Sequence, residues 1–267
     1  MALTEIPIEL SSTPSIVDGG NAMAITIDST ENVGVGIAPV PSSSSYNGGL
    51  LHVHQPSTTT THGSQIKLSN GVTGSAAGDG FLIAKYGDKN TYLTNFDAGS
   101  DIIFNMTNDG GTVAERMRLN HDGIVTMPSQ PAFLVQPASL QENIPINATT
   151  TIAFGAERFD QGGNFASNVF TAPVTGRYQL NVNLYAQSVD SAAAYVQVSL
   201  KTSNRQHYYI FSTTSLDQDA AYMSFPISVL ADMDASDTAH VETQLNNTGA
   251  AQMDIDAVSS FSGYLVA

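Results

Sequence analysis

Few residues in this chain are of types that do chemistry, and fewer stand at spacings that let them act together. Leu51-His52-Val53-His54 sets two imidazoles two residues apart. On a strand that spacing puts both on one face, where they can serve as paired ligands for a transition metal. Asp232, Asp234 and Asp237 in ADMDASD offer oxygens suited to a hard cation such as calcium. The later bidentate acid of a dedicated calcium loop is missing, so solvated turn aspartates are the simpler reading. Paired carboxylates also serve glycoside hydrolysis, but no two acids here declare themselves as acid and nucleophile. Arg205-Gln206-His207-Tyr208-Tyr209 combines aromatic faces with charged and amide groups, the combination that binds sugars. Arg205, His207, Tyr208 and Tyr209 are therefore the candidate receptor-binding residues, although alternation along a strand would bury one of the two tyrosines. No G-x-S-x-G, phosphate-binding loop, H-E-x-x-H or paired cysteine occurs. The expectation is a protein that is not an enzyme, with no catalytic residues, no metal site and no cofactor. Calcium or an axial transition metal is open to it but not expected.

Composition narrows the partners. The chain has 267 residues, with 24 Asp+Glu against 9 Lys+Arg and a net charge of −15. Nucleic acid and anionic membrane both demand clustered Lys and Arg, so neither is expected as a direct partner. The acidity is even: residues 131–267 hold 12 acids and 4 bases, and residues 1–130 hold 12 and 5. No apolar run approaches the length of a membrane span, and MALTEIPIEL lacks the build of a secretory signal. Cysteine is absent, so there is no disulfide framework.

The elements that must position any site are strands. Period-two runs recur: Tyr178, Leu180, Val182, Leu184; then Val196, Val198, Leu200; then Met223, Phe225, Ile227, Val229; then Val241, Thr243, Leu245. Short turns separate them, which predicts an antiparallel sandwich or barrel and an all-β chain. Residues 1–130 differ. Their loops are long and polar, such as PSSSSYNGG (41–49), PSTTTTHGS (56–64) and NGVTGSAAGDG (70–80). Their apolar strand positions are few: Ile66 with Leu68, Phe81 with Ile83, Ile102 to Met106, Met117 with Leu119. So much polar connection is too much for a compact monomer, because ordering entropy must be offset by buried area.

Ala24 to Gly36, AITIDSTENVGVG, shows how the deficit is made good. Ile25 and Ile27 alternate as in a half-buried strand, whereas Val33 and Val35 alternate with Gly34 and Gly36. A strand face without side chains marks close approach by another backbone. RMRLNHDGIVTM (116–127) echoes the pattern, with Asp122-Gly123 as a hairpin turn. A lone hairpin is barely stable in water, so each needs something to lie against. Three copies wound around one axis would supply it. That axis would gather six imidazole nitrogens from His52 and His54, enough for octahedral iron; alternatively His52 points outward.

Two resemblances sharpen this. ITIDSTENVGVG resembles the hairpin element of bacteriophage tail-fibre proteins. Residues 79–123, ending in Glu115, Arg116, Met117, Arg118 and Leu119, are similar to their shaft modules. FDQGGNFASNVFTAPVTGRYQLNVNLY (159–185) and the terminal FSGYLV resemble the globular head of complement component 1q, a trimeric jelly roll. Phe170, Thr171, Ala172, Pro173, Gly176 and Tyr178 match its Phe-Thr-Ala-Pro…Gly-x-Tyr signature. Phe261, Ser262, Gly263 and Leu265 match its closing strand. The departure is Gln161-Gly162-Gly163-Asn164, where the family has Asn-x-Gly.

The expected fold is all-β: an interwoven trimeric β-rich shaft followed by an antiparallel jelly-roll head of the complement component 1q and tumour necrosis factor type. The expected organisation is a virion-attachment segment at 1–45, the shaft at 46–130 and the head at 131–267. The resemblances imply a viral tail fibre protein located in the virion, a homotrimeric adhesin that recognises the host cell during adsorption. Its implied partners are two further copies, a host glycan or outer-membrane protein, and a tail or baseplate protein held by the N-terminus. No membrane insertion is expected. The alternatives are a non-viral extracellular or structural adhesin with the same head, or a polysaccharide depolymerase. Recognition is expected in the head loops Ser188–Ala193, Thr202–His207, Thr213–Ala220 and Asn246–Ala251, because a rigid sandwich holds loops in place.

Overall fold

A computed structural model of the chain describes residues 15–17, 23–27, 33–35, 51–55, 58–246 and 252–267. Most of the expected attachment segment at 1–45 lies outside the described residues. The chain divides into two compact units, Met1–Phe104 with Arg118–Val125, and Asn105–Met117 with Thr126–Ala267. Among the described residues the only helical element is a 3-10 turn at Thr213–Ser215, and no helix is long and apolar enough to cross a membrane.

The first unit opens with a sheet of β1 (Ser15–Val17), β2 (Met23–Ile27), β3 (Val33–Val35) and β4 (Leu51–Val53), in that order. The stretch at 24–36 forms the expected hairpin, with Ile25 opposite Val35 and Ile27 opposite Val33. Gly34 stands between Thr26 on one side and His52 of the parallel strand β4 on the other. Gly34 is therefore paired on both edges within the sheet. Gly36 lies outside the described residues.

Next come β5 (Gly63–Leu68), β6 (Phe81–Tyr86) and β7 (Thr91–Asn95), a three-stranded antiparallel meander. The residues that β6 buries are Leu82 and Ala84, rather than Phe81 and Ile83. Apolar side chains stand on both faces of this strand, and alternation alone could not say which face was covered. Strands β8 (Ile102–Thr107), β9 (Val113–Leu119) and β10 (Val125–Thr126) form another three-stranded sheet with β9 central. The Asp122-Gly123 turn joins β9 to β10 as expected. The Asn120 carbonyl accepts from the Gly123 N–H, and Gly123 is left-handed at φ +83. Arg118 earns its place in the Glu-Arg-Met-Arg-Leu stretch by donating to Asp101 Oδ2 at 2.5 Å.

The second unit contains the head, a jelly-roll-like sandwich of two antiparallel sheets. Its strands are β11 (Ala132–Gln136), β12 (Thr150–Thr151), β13 (Ala156–Gln161), β14 (Phe165–Ala166), β15 (Val169–Thr171), β16 (Gly176–Val189), β17 (Tyr195–Thr202), β18 (Gln206–Phe211), β19 (Ala220–Met233), β20 (Thr238–Asn246), β21 (Asp254–Ile255) and β22 (Ser260–Leu265). One sheet runs β13-β11-β22-β16-β19, with β21 beside β16; the other runs β14-β15-β20-β17-β18, with β12 beside β20. The four alternating rows read from the sequence face each other across the core. Tyr178, Leu180, Val182 and Leu184 of β16 are buried, as are Val196, Val198, Leu200, Val241, Thr243 and Leu245. Full burial of each large aliphatic is worth about 1.5–3 kcal/mol. Pro226 lies inside β19, which is tolerable because β19 is an edge strand.

The signature residues now have physical roles. Phe170 stacks on Phe133 at 4.6 Å between ring centres and meets Tyr178 edge-on at 5.5 Å. The buried Tyr178 hydroxyl donates to the Val174 carbonyl at 2.8 Å, fixing the Pro173 corner. Gly263 is glycine because a Cβ there would lie 2.6 Å from Leu180 Cδ2 and 2.8 Å from Phe133 Cε1. Gly162 and Gly163 are both left-handed, at φ +98 and +67, so Gln161-Gly162-Gly163-Asn164 forms a double-glycine turn capped by the Asp160 carboxylate.

Candidate functional site

Strand β18 distributes the expected receptor-binding residues instead of gathering them. Pairing with β17 sets His207 opposite Leu200 and Tyr209 opposite Val198, on the core side, and Tyr208 opposite Ser199, on the outer side. Tyr209 meets Phe225 of the facing sheet edge-on at 5.8 Å yet stays 37% exposed on this edge strand, so neither tyrosine is buried, although alternation predicted that one would be. His207 Nε2 is buried without a hydrogen-bond partner. Arg205 lies in the turn before β18 and grips Asp232 with two bonds, Nε to Oδ1 at 3.1 Å and Nη2 to Oδ2 at 2.9 Å. Of Arg205, His207, Tyr208 and Tyr209, only Tyr208 presents itself on the outer face of the sheet.

Tyr208 instead keeps company that the linear sequence hides. Across the sheet its row continues through Ser199 of β17 and Glu242 of β20 to Thr151 of β12. The next row is Gln206, Lys201 and His240. Lys201 Nζ lies 2.7 Å from Glu242 Oε2, and His240 Nε2 lies 3.0 Å from Glu242 Oε1. The Tyr208 hydroxyl donates to Gln206 Oε1 at 2.9 Å. An exposed ring thus borders a line of amide, ammonium, imidazole and carboxylate groups on a rigid sheet. Such a surface holds polar ligands by stacking and hydrogen bonding; it offers no nucleophile with a base beside it. Lys201, His240 and Glu242 were legible only as the polar positions between the apolar residues of two strands far apart in sequence.

Burial works to raise the pKa of Glu242, and hydrogen bonds from Lys201 and His240 outweigh it, holding the carboxyl below its ordinary value. A depressed folded pKa contributes stability above the unfolded value that is lost as pH falls through the folded one. The head is therefore expected to lose stability as pH falls below the ordinary glutamate range. Glu242→Gln should cost about 1–3 kcal/mol at neutral pH by leaving Lys201 without its carboxylate, and it should flatten the acid dependence. Urea titrations at several pH values check both.

The proposed cation ligands are occupied by protein. Asp232 holds Arg205, Asp237 Oδ2 accepts from Asn204 Nδ2 and from the Asp234 N–H at 2.8 Å each, and Thr175 Oγ1 donates to Asp234 Oδ1 at 3.4 Å. They close the turn after β19. His52 and His54 do lie together, with ring centres 5.9 Å apart. Among the described residues no three His, Cys, Asp or Glu side chains converge as a metal site within the chain.

The candidate loops fall at opposite ends of the sandwich. Ser188–Ala193 and Thr213–Ala220 meet at one end, where Asp219 accepts from the Ser191 N–H and hydroxyl at 2.9 and 2.7 Å. Residues 247–251 of Asn246–Ala251 lie outside the described residues. The β17–β18 turn sits at the other end, beside Asp232 and Asp237, and Gln206 and His207 belong to β18 itself.

Residues 132–266 match the model of the C1q domain family. Among solved structures the chain is similar to the globular domain of zebrafish complement 1qA protein, at 18% identity over 52% of this chain and 98% of that one, with a TM-score of 0.39. It is also similar to murine APRIL, at 14% identity over 51% of this chain and 99% of that one, with a TM-score of 0.37. No curated protein matches the chain. With the matched segment spanning half of its residues and supplying its whole head, the chain belongs to the C1q domain family.

Proposed function

We propose that the chain is a homotrimeric adhesin, a bacteriophage tail fibre protein whose head recognises the host surface. C1q-type domains commonly form homotrimers, and one observation carries that state to this chain. The outer face of the β13-β11-β22-β16-β19 sheet has no charged residue across its centre. Its rows run Ala132–Tyr264–Gln179–Leu230 and Leu134–Ser262–Asn181–Ser228. Charge returns at the rim, with Arg158 on β13, the Arg177–Asp232 position at one end, and Asp254 opposite Gln187, with Asp256 beside it, at the other. Leu230 and Tyr264 are 56% and 49% exposed in the single chain. Each head carries a net −8, so copies can meet only where acids are absent, and interface centres are depleted of charge.

The other sheet then keeps its outer face, with Tyr208 and the Lys201–Glu242–His240 network, for recognition. Three such faces on one particle raise effective concentration at a repetitive surface, so weak single sites suffice. Net acidity disfavours anionic surface polysaccharide, and binding rests on neutral sugar or protein contacts, helped by bridging divalent cations. The tail-fibre assignment rests on the shaft-type motifs at 24–36 and 79–123. A non-viral extracellular adhesin with the same head is the second reading, supported equally by the C1q domain; neighbouring baseplate and tail genes distinguish the two. Tyr208→Ala is expected to weaken binding of the purified chain to host cells at least tenfold with unchanged native mass. Undiminished binding would remove this face from recognition.

A further inference from the structure

We propose that one face of the β5-β6-β7 sheet is a second self-association surface, seated in the assembled protein against the same face of the other copies. The inference rests on the homotrimer reading above and locates where the shaft obtains its core.

The face is defined by register. Ile66, Ile83 and Leu93 stand directly opposite one another across the three strands, and Leu68 and Phe81 form the neighbouring pair. Ile66, Leu68, Ile83 and Leu93 are 41%, 59%, 40% and 53% exposed. The opposite face is the one the chain covers itself, with Leu82 and Ala84 buried. That opposite face is mixed, with Lys67, Thr94 and Gln65 beside Leu82 and Ala84, so the Ile66–Ile83–Leu93 face is the apolar one. A three-stranded sheet needs a second layer on such a face, and contiguous exposed apolar patches are rare on monomers.

Three features name the occupant as further copies of this chain. Leu82 and Ala84 are the only buried hydrophobic residues among the described residues of the first unit; all the others are at Phe133 or beyond. So small a core cannot offset ordering entropy, so the missing layer must be present on every molecule, as a constant-stoichiometry homo-oligomer guarantees. The strand positions of this face carry no acid in an acidic chain, and Asp97 and Asp101, which border its Leu68–Phe81 end, are engaged by the Gly80 N–H and by Arg118. Its one charged residue, Lys85, is on the outer row, with its ammonium donating to the Lys89 carbonyl. Copies of an acidic unit can therefore meet here without repulsion. Finally, head association tethers three shafts together at high effective concentration, so even a modest patch is filled.

The chain contains no cysteine, so single thiols report on this face directly. Full-length Ile83→Cys and, as control, Val72→Cys, which is 97% exposed in a loop, are treated with a short bismaleimide, and native mass is measured in parallel. The expected result is native trimers for both, with inter-chain cross-links for Ile83→Cys and none for Val72→Cys. Trimers in which the thiol at 83 reacts only singly would overturn the shaft surface and leave the homotrimer reading intact. A monomeric native mass would overturn both.

Discussion

Removal of residues 261–267 is expected to leave no soluble, folded head. These seven residues supply nearly all of β22, which lies between β11 and β16 in the middle of its sheet. Losing them opens two ladders at once, Phe133 opposite Gly263 on one side and Val182 opposite Phe261 on the other. The unpaired edges of β11 and of the long strand β16 would then be exposed to other chains, which is the common route to aggregation. Phe261 is fully buried, with its ring centre 4.9 Å from that of Phe133 in a cluster with Phe154 and Phe165. Deleting a buried Phe side chain alone costs about 3–5 kcal/mol, a large share of the roughly 5–15 kcal/mol that holds a domain together. Expression of the truncated chain followed by centrifugation and circular dichroism checks this. Soluble, cooperatively unfolding protein would contradict the central placement of β22.

The second large effect is expected from Leu230→Glu in residues 131–267 expressed alone. That fragment contains the whole head core, from Phe133 to Phe261, so it is expected to fold without the shaft. Leu230 is opposite Gln179 on edge strand β19 with its side chain in solvent, so the substitution leaves the fold of one head undisturbed. In the trimer it would place an unpaired carboxylate in each charge-free contact, and an uncompensated buried charge costs roughly 3–5 kcal/mol. Repeated at three contacts, this should convert the head from trimer to monomer, whereas Leu230→Met should remain trimeric. Size-exclusion chromatography with light scattering separates the outcomes. A trimeric Leu230→Glu head would move the contact to another face.

The head was largely legible before the structure because its signal is local. Alternation in Tyr178–Leu184 or Val241–Leu245 already states which side is buried, and Gly263 and Tyr178 are where motif and packing agree. What escaped was non-local or two-sided. Tyr208 and Tyr209 are neighbours in sequence and on opposite faces of a strand, so a linear aromatic cluster became one surface ring and one core-side ring. Lys201, His240 and Glu242 come together only when β17 pairs with β20, a register no short window contains. On β6, apolar residues on both sides made Phe81 and Ile83 as plausible a core as Leu82 and Ala84. That ambiguity has a physical origin: the strand has two apolar faces, and only one is covered within the chain. The parallel pairing of β3 with β4 likewise joins residues far apart in sequence, Val33 with Leu51 and Val35 with Val53.

Sedimentation equilibrium of the full-length chain under native conditions tests the central claim most directly. The trimer predicts three times the 28.1 kDa chain mass, near 84.3 kDa, independent of loading concentration across the micromolar range. A single species at 28.1 kDa would contradict it.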